Sequence, residues 1–264
     1  MPDGSDIVYS YDGSFEGLLC CVFESLENRE VPAEILLKDA PQGVLFPVKN
    51  IITDLHKSNR VLSAVTDKIS FSALDFVRHA FLTCLPQKER YILLFLRLGF
   101  QYGASVMDML TNDVVNTLFK AVKHLKRESH LLKGFVRFSV ISNVLTAEIE
   151  PKNYVLPLLS RHFCGRYPEE HFLIYDRTHG MALVYRPYQS KIIPIEDFLM
   201  PEPDPEEQVY REMWQLFYNS IEVEGRHNPK CRMSHMPKRY WKYMTEFENK
   251  DNPLPKLNKP GQKK

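Results

Sequence analysis

The spacing of apolar residues predicts a strand and then a helix at the start of the chain. DIVYSYDGS has the alternation of a short strand that ends at the Asp12-Gly13 turn. Ser14 precedes apolar residues at the 3.6-residue period, so we expect it to cap a helix. Short extended segments are predicted at residues 35–38 and 45–52.

The period is helical almost throughout residues 54–130. Pro, Gly or Asn separates four amphipathic segments, NRVLSAVTDKIS, FSALDFVRHAFLTCL, KERYILLFLRLGF and NDVVNTLFKAVKHLKRESH. We predict a small helical bundle here.

The pattern changes to strands in residues 131–200. GFVRFSVI, VLTAEIE, FLIYDRT, MALVYRP and SKIIPIE alternate or are rich in β-branched and aromatic residues, and one helix, YVLPLLSRHFCGR, crosses between them. Helices followed by strands are typical of the α+β class. We therefore predict an α+β fold, in which a central helical bundle is followed by a mostly antiparallel sheet with flanking helices.

Helices are predicted again in residues 204–247. The amphipathic helix EEQVYREMWQLFYNSI is expected to bury Val209, Met213, Leu216 and Phe217. All these blocks are predicted to form one compact domain, residues 1–248. Residues 249–264 have too few apolar residues to fold, so a disordered basic tail is expected.

Charge is distributed unevenly along the chain. The net charge is only +1, yet residues 226–264 contain eleven Lys or Arg against three Asp or Glu, so that segment carries +8 and the remainder −7. A basic segment on a mildly acidic body indicates a local anionic partner such as a phosphate backbone.

The five cysteines favour a reducing, cytoplasmic location. Their number is odd, no secretory signal precedes them, and Cys20 and Cys21 fall on the core side of the first helix. No C-x-x-C pair occurs, so we predict no cluster or other cofactor. The most apolar run, YILLFLRLGF, is too short to cross a bilayer, so no membrane partner is expected.

The stretch EGRHNPKCRMSHMPKRYWKYM, residues 224–244, sets cations among aromatic rings. Ammonium and guanidinium groups bind phosphate while rings stack on bases, so the stretch predicts nucleic-acid contacts from Lys230, Lys238, Arg239, Tyr240 and Trp241. In the alternative interpretation, Tyr240 and Trp241 anchor the last helix to the body.

The same stretch holds a possible metal-binding spacing. His227, Cys231 and His235 would share a helical face, but Pro229 and the surrounding cations argue against a metal, and none is predicted.

A second basic region lies in KAVKHLKRESHLLKGFVRF. Lys133 and Arg137 are predicted to contact nucleic acid, as is Arg166 farther along the chain. KGFVRF resembles a strand with Phe135 and Arg137 on one face, which could stack bases. The alternative is an edge strand with one buried face.

The candidates for catalysis are His130, His162 and Asp176. His162 is two residues from Cys164, but sequence alone does not show whether a Cys–His pair is in contact. No G-x-S-x-G, P-loop, H-E-x-x-H or dinucleotide motif occurs. The sequence therefore names no reaction.

Four stretches, in order, resemble the bacterial family labelled as DNA metabolism or DNA repair proteins, whose core is a domain of unknown function. They are YDGSFEGLLCCVFES, RESHLLKGFVRF, YVLPLLSRHFCGRYPEEHFLIYDRTHG and NPKCRMSHMPKRYWKYM, and the resemblance covers residues 7–248. It implies a radical-SAM DNA repair or modification protein as partner. In related proteins the domain is fused to a uracil-DNA glycosylase-like domain, whose catalytic motifs do not occur here.

Three functional hypotheses follow. The first is a DNA-binding accessory protein that acts with the radical-SAM enzyme. The second is a nuclease, glycosylase or hydrolase that uses His130, His162 and Asp176, with nearby cations on the phosphate. The third is an adaptor in which Tyr240 and Trp241 bind the partner enzyme without DNA contact.

Overall fold

The computed structural model of the protein describes residues 5–38, 46–195, 198–199, 205–220, 233 and 235–247. Contacts divide the chain into two compact units, residues 1–126 and 127–264. The helices and two separate sheets confirm the α+β class. The single domain over residues 1–248 and the disordered tail stay predictions, and the tail lies outside the described residues.

A three-stranded parallel sheet opens the first unit. β1 (Ser5–Tyr11) lies between β2 (Pro32–Leu37) and β3 (Val48–Asn50), and both neighbours run parallel to it. Parallel strands need a crossover connection, which α1 (Phe15–Glu27) provides between β1 and β2. The sequence predicts the extended segments but not their parallel pairing, which depends on contacts between distant residues.

The turn between β1 and α1 has the predicted chemistry. Gly13 has a φ of 82°, in the left-handed region that glycine favours, and Ser14 Oγ accepts a 2.9 Å hydrogen bond from the Gly17 amide. Asp12 accepts hydrogen bonds from the amide and hydroxyl of Ser14 and from the hydroxyl of Thr53. These hydrogen bonds lower the pKa of Asp12, and the largest contribution comes from the Ser14 hydroxyl. The cap therefore ties the strand end to the helix start.

The predicted helical block is confirmed. It contains α2 (Leu55–Lys68), α3 (Phe71–Phe81), α4 (Lys88–Tyr102), a 3-10 helix (Gly103–Asp108) and α5 (Asp113–Phe135). These helices pack with α1, whose Cys20 and Cys21 are buried as predicted. In the described part of the chain, none of the helices combines the length and apolar content needed to cross a membrane.

Helix α4 is bound to the start of the chain by both apolar and polar contacts. Its residues Ile92, Leu93, Phe95 and Leu96 are fully buried in the core that also holds Tyr9 and Leu18. Three polar side chains of α4 also contact the start of the chain. Tyr11 donates to the Glu89 carboxylate at 3.2 Å, Arg90 donates to the Pro32 carbonyl at 3.2 Å, and Arg97 donates to the Ser25 carbonyl at 3.1 Å.

The predicted strand at KGFVRF is wrong. Helix α5 continues through Phe135, and the Val136 amide still donates to the Leu132 carbonyl at 3.0 Å. The next strand, β4 (Ser139–Ile141), begins only after Phe138. The helical hydrogen bonds of α5 extend past Gly134, although glycine has low helix propensity, and Phe135 and Arg137 do not share a strand face.

The second unit holds a five-stranded mixed sheet. Its order is β4, β5 (Val144–Ile149), β6 (Phe172–Asp176), β7 (Met181–Arg186) and β8 (Gln189–Pro194). Adjacent strands are antiparallel except β5 and β6, whose crossover is α6 (Leu156–Arg166). The predicted mostly antiparallel sheet and crossing helix are confirmed.

Helix α7 (Pro205–Ser220) is amphipathic, but its predicted buried stripe is wrong. Val209, Met213 and Phe217 are more than half exposed, with exposed fractions of 54%, 59% and 52%. The helix instead buries Glu207 and Gln215, because Glu207 accepts a hydrogen bond from the Val140 amide and Gln215 donates to the Thr245 carbonyl.

Two 3-10 helices, Lys238–Tyr243 and Thr245–Phe247, form what we call the 238–247 segment. Both lie in residues 204–247, where the sequence predicts helices.

Replacing Ser14 with alanine tests the cap of α1. We expect Ser14→Ala to lower the free energy of unfolding by about 1 kcal/mol, because the Gly17 amide loses its acceptor. Urea unfolding followed by circular dichroism measures the change. Ser14→Thr keeps the hydroxyl and should stay near wild type. Equal stability of the alanine and threonine variants would contradict a stabilising cap.

Candidate functional site

One groove in the second unit brings together several predicted functional residues. The groove is formed by the end of α5, residues 136–138, β5, α6 and α7, and its volume is about 700 Å³. Lys133, Arg137, His162 and Arg166 all line it. We call it the basic groove; its other polar and aromatic lining residues are Phe138, Tyr167, Glu207, Tyr210, Arg211, Trp214 and Thr245.

Two cations of the basic groove are neutralised by carboxylates, and two are not. Arg137 forms an ion pair with Glu246 at 2.7 Å, and Arg211 forms one with Glu207 at 3.0 Å. Lys133 and Arg166 are exposed, and among the described residues no carboxylate lies within 4.0 Å of either. The groove therefore has excess positive charge from Lys133 and Arg166.

His162 experiences this positive charge. Its pKa is lowered by partial burial first, and then by the charges of Lys133 and Arg166. The imidazole is therefore neutral at neutral pH. Its ring packs edge-on against Phe163, with centroids 4.9 Å apart, so its orientation in α6 is supported by the core.

Tyr210 and Trp214 contribute aromatic surface to the basic groove that the sequence analysis missed. They lie one turn apart on α7 and are 60% and 40% exposed. Arg211, whose guanidinium also donates to Ser139 Oγ, was missed as well. The i, i+4 spacing of Tyr210 and Trp214 was a usable signal, but the prediction for this helix considered only the buried stripe of Val209, Met213, Leu216 and Phe217.

Arg137 lines the groove as a structural residue. Its guanidinium donates two hydrogen bonds to Glu246, at 2.7 and 3.2 Å, and a third to the Gly134 carbonyl at 2.9 Å. The side chain of Glu246 is only 1% exposed and also accepts from Trp214 Nε1 at 3.3 Å. Arg137 therefore helps to hold Trp214 through Glu246, and most of its donors are already used.

Tyr240 and Arg239 hold the 238–247 segment against a buried carboxylate. Tyr240 is 5% exposed and packs on Phe135, with ring centroids 5.6 Å apart. Glu128 is 3% exposed and accepts hydrogen bonds from Asn153 and from the Lys152 amide. Arg239 forms an ion pair with Glu128 at 3.0 Å, and Tyr240 donates to it at 3.4 Å. Burial first, and then the charge of Glu128, raises the pKa of Tyr240.

The other predicted residues of this segment are also engaged in local contacts. Trp241 stacks on Phe247 at 4.5 Å and donates to the Met236 carbonyl. The Lys238 ammonium lies 5.9 Å from the Trp241 ring centroid. These contacts agree with the alternative interpretation, in which Tyr240 and Trp241 anchor this part of the chain to the body. Nucleic-acid binding by Lys238, Arg239, Tyr240 and Trp241 stays a prediction. Lys230 lies outside the described residues.

The three catalytic candidates do not line one groove. His162 lines the basic groove, whereas His130 and Asp176 are not among its lining residues. His130 is exposed on α5. Asp176 is fully buried at the end of β6, where its carboxylate accepts hydrogen bonds from the amides of Thr178 and His179 and contacts His179 Nδ1 at 2.7 Å. Through these contacts, Asp176 stabilises the turn that follows β6.

The described residues form neither a Cys–His pair at Cys164 nor a metal-binding cluster. Cys164 contacts Ser160, with the sulfur and hydroxyl oxygen 3.7 Å apart. Within the described ranges, no group of three or more His, Cys, Asp or Glu side chains is arranged to hold a metal ion. His227 and Cys231 lie outside those ranges.

A depression of about 880 Å³ in the first unit has a different character. Both carboxylates and cations line it, namely Glu27, Asp67, Arg60 and Lys68. The Arg60 guanidinium lies over the Phe23 ring at 5.1 Å. Since the charges are mixed and no predicted site residue lines it, the basic groove is the stronger candidate.

Comparison with known families identifies the sequence. The family model DUF4130, a domain of unknown function, matches residues 86–246, which is more than half of the chain. The chain belongs to this family. The DUF4130 match spans every residue that lines the basic groove and most of the 238–247 segment.

Other comparisons give this DUF4130 protein no further assignment. No curated protein matches it. A solved structure, the pGpG-specific phosphodiesterase PggH from Vibrio cholerae, is similar with a TM-score of 0.29 and 11% identity, over 67% of this chain and 81% of that one. A likeness at that level carries no argument about fold or function.

Glu128 should stabilise the 238–247 segment of this DUF4130 member. We expect Glu128→Gln to lower the local opening free energy of the segment by about 2–3 kcal/mol, because Arg239 and the Asn153 amides lose a buried charged acceptor. Peptide-level hydrogen exchange measures it. Glu150→Gln is the matched control: the Glu150–Lys242 pair is half-exposed, so we expect about 1 kcal/mol or less. Equal effects would contradict the special role of Glu128.

Proposed function

We propose that this protein binds DNA in the basic groove and acts as an accessory protein of a DNA repair or modification system. The observation that carries the proposal is the pair of exposed cations, Lys133 and Arg166, facing one groove without a carboxylate partner among the described residues. Like charges held together are unfavourable unless an anion binds between them. A phosphate backbone satisfies this requirement.

The lining of the basic groove fits a nucleic acid better than a small inorganic anion. Its volume of about 700 Å³ is in the range of ligand-sized clefts. Aromatic rings of Tyr167, Tyr210 and Trp214 lie beside the cations, which is the combination found where proteins bind bases as well as phosphates. The neutral imidazole of His162 adds a hydrogen-bonding group.

The partner in this proposal is a radical-SAM DNA repair or modification enzyme, as the sequence resemblance implies. In this division of labour, the chain supplies DNA contacts and the partner supplies the radical chemistry. Support comes from the resemblance of four stretches, two of which, RESHLLKGFVRF and YVLPLLSRHFCGRYPEEHFLIYDRTHG, contain the cations Lys133 and Arg166.

A nucleic-acid-processing enzyme is the second candidate function, and one observation favours it. His162 has a lowered pKa and lies in the basic groove, so its imidazole could accept a proton at neutral pH. The three-residue version with His130 and Asp176 has less support, since Asp176 is fully buried. The adaptor version has less support too, because Tyr240 is buried within the protein.

Removing Lys133 and Arg166 tests DNA binding. We expect the double variant Lys133→Gln, Arg166→Gln to bind a fluorescently labelled single-stranded oligonucleotide at least about tenfold more weakly near 50 mM salt. The slope of log affinity against log salt should become shallower by about 1.4, since each phosphate contact on a single strand contributes about 0.7. Fluorescence anisotropy measures both.

Matched controls come from the same two helices. Lys126 of α5 and Arg161 of α6 are exposed cations that do not line the basic groove. The variant Lys126→Gln, Arg161→Gln removes the same net charge and should keep the wild-type salt slope. If the two double variants lose affinity equally, binding follows net charge alone and the groove is not the site.

His162 should make binding pH-dependent. Its pKa is lowered in the free protein and a bound phosphate raises it, so binding takes up a proton and affinity rises as pH falls. The rise should continue as pH falls below the usual histidine pKa of 6.5, until the lowered pKa of the free protein is passed, and its total size is at most about tenfold for each unit by which binding raises the pKa. His162→Gln should abolish this rise in affinity. The other charged side chains that line the groove, Glu207, Arg211 and Arg137, are kept in that variant. If the affinity of His162→Gln varies with pH as that of the wild type does, no phosphate binds beside His162.

A further inference from the structure

The exposed face of α7 is unusual because large rings lie on it. Tyr210 and Trp214 lie one turn apart and are 60% and 40% exposed. Large apolar side chains that are exposed together mark a binding surface more often than scattered single residues do, and these two rings line the same groove. Tyr210 and Trp214 therefore form a candidate binding surface.

The ring of Trp214 is held in place. Its Nε1 donates to the buried Glu246 carboxylate at 3.3 Å, and its ring lies 5.8 Å from that of Phe217. Glu246 is in turn fixed by two hydrogen bonds from Arg137. An aromatic ring oriented before binding loses little side-chain entropy when a ligand stacks on it.

The rings share the basic groove with the two exposed cations. Tyr210 and Trp214 line it together with Lys133, His162 and Arg166. The carboxylates that line or adjoin it, Glu207 and Glu246, are already bound to Arg211 and Arg137. The charge that a ligand meets next to the rings is therefore positive, so the complementary occupant is anionic and carries flat apolar groups.

We propose that the basic groove selects single-stranded nucleic acid, with phosphates at Lys133, Arg166 and His162 and at least one unstacked base against Tyr210 or Trp214. This rests on the proposed DNA binding and deepens it. Cations alone would bind duplex and single strand alike, whereas the π-faces of bases in a duplex are covered by their neighbours. Exposed, pre-oriented rings beside the phosphate-binding cations favour an unpaired strand or an extruded base.

The experiment compares three ligands of one length, about 12 nucleotides. They are a single-stranded oligonucleotide, its duplex, and a single strand in which abasic sugar analogues replace most bases. The proposal expects the single strand to bind at least about fivefold more tightly than the abasic strand, because the abasic strand keeps the phosphates and loses the stacking. It also expects the single strand to bind more tightly than the duplex.

Two variants locate the stacking. Trp214→Ala should weaken single-strand binding roughly 5- to 100-fold and leave abasic binding unchanged, whereas Trp214→Phe keeps a ring and should recover most of the affinity. Met213→Ala is the matched control, since Met213 is exposed on the same helix but does not line the groove. Quenching of tryptophan fluorescence by the single strand should disappear in Trp214→Phe.

The outcomes separate this inference from the proposed function. If the single, duplex and abasic strands bind alike, and Lys133→Gln, Arg166→Gln weakens all three, DNA binding stands and the single-strand inference is overturned. If no strand binds at low salt, both fail. If the Trp214 emission changes with protein concentration rather than with oligonucleotide, a second copy of the chain covers the rings and the inference is also overturned.

Discussion

The buried carboxylate of Glu246 is the interaction on which the basic groove depends. Arg137 and Trp214 both donate to it, so one 1%-exposed side chain connects the end of α5, helix α7 and the 238–247 segment. A buried carboxylate is stable only when it is paired and hydrogen-bonded, which makes the three groups mutually dependent. Glu246 thereby converts Arg137 from a potential ligand into part of the scaffold.

The groove separates cations that stabilise the fold from cations that remain available for binding. Arg137, Arg211 and Arg239 are each matched with a buried or nearly buried carboxylate, Glu246, Glu207 or Glu128. Lys133 and Arg166 have no such match among the described residues, and both line the groove beside His162, whose pKa is lowered by burial first and then by these two charges. In the proposed function, this arrangement gives up some stability in exchange for a preformed anion site.

How far the sequence predicts this structure depends on the range of the contacts involved. Local signals were sufficient for the Ser14 cap, the helical block and the α6 crossover, because periodicity and capping act within a few residues. They failed at KGFVRF, where α5 continues through a glycine, and on α7, where burial is decided by partners of Glu207 and Gln215 far away in sequence. Lys133, His162 and Arg166, three candidates from the sequence, line one groove, but whether a cation is paired could not be known without the fold.

The contacts of α4 have a consequence for work on isolated pieces of this chain. The family match begins at residue 86, so a fragment cut at that boundary would keep α4 and lose β1, α1 and β2. Ile92, Leu93, Phe95 and Leu96 would then face solvent, and Arg90 and Arg97 would lose their carbonyl acceptors. A sequence family is defined by what is recognisably shared between proteins, whereas a folding unit is defined by what it buries. Here the two boundaries differ, and recombinant expression should follow the second.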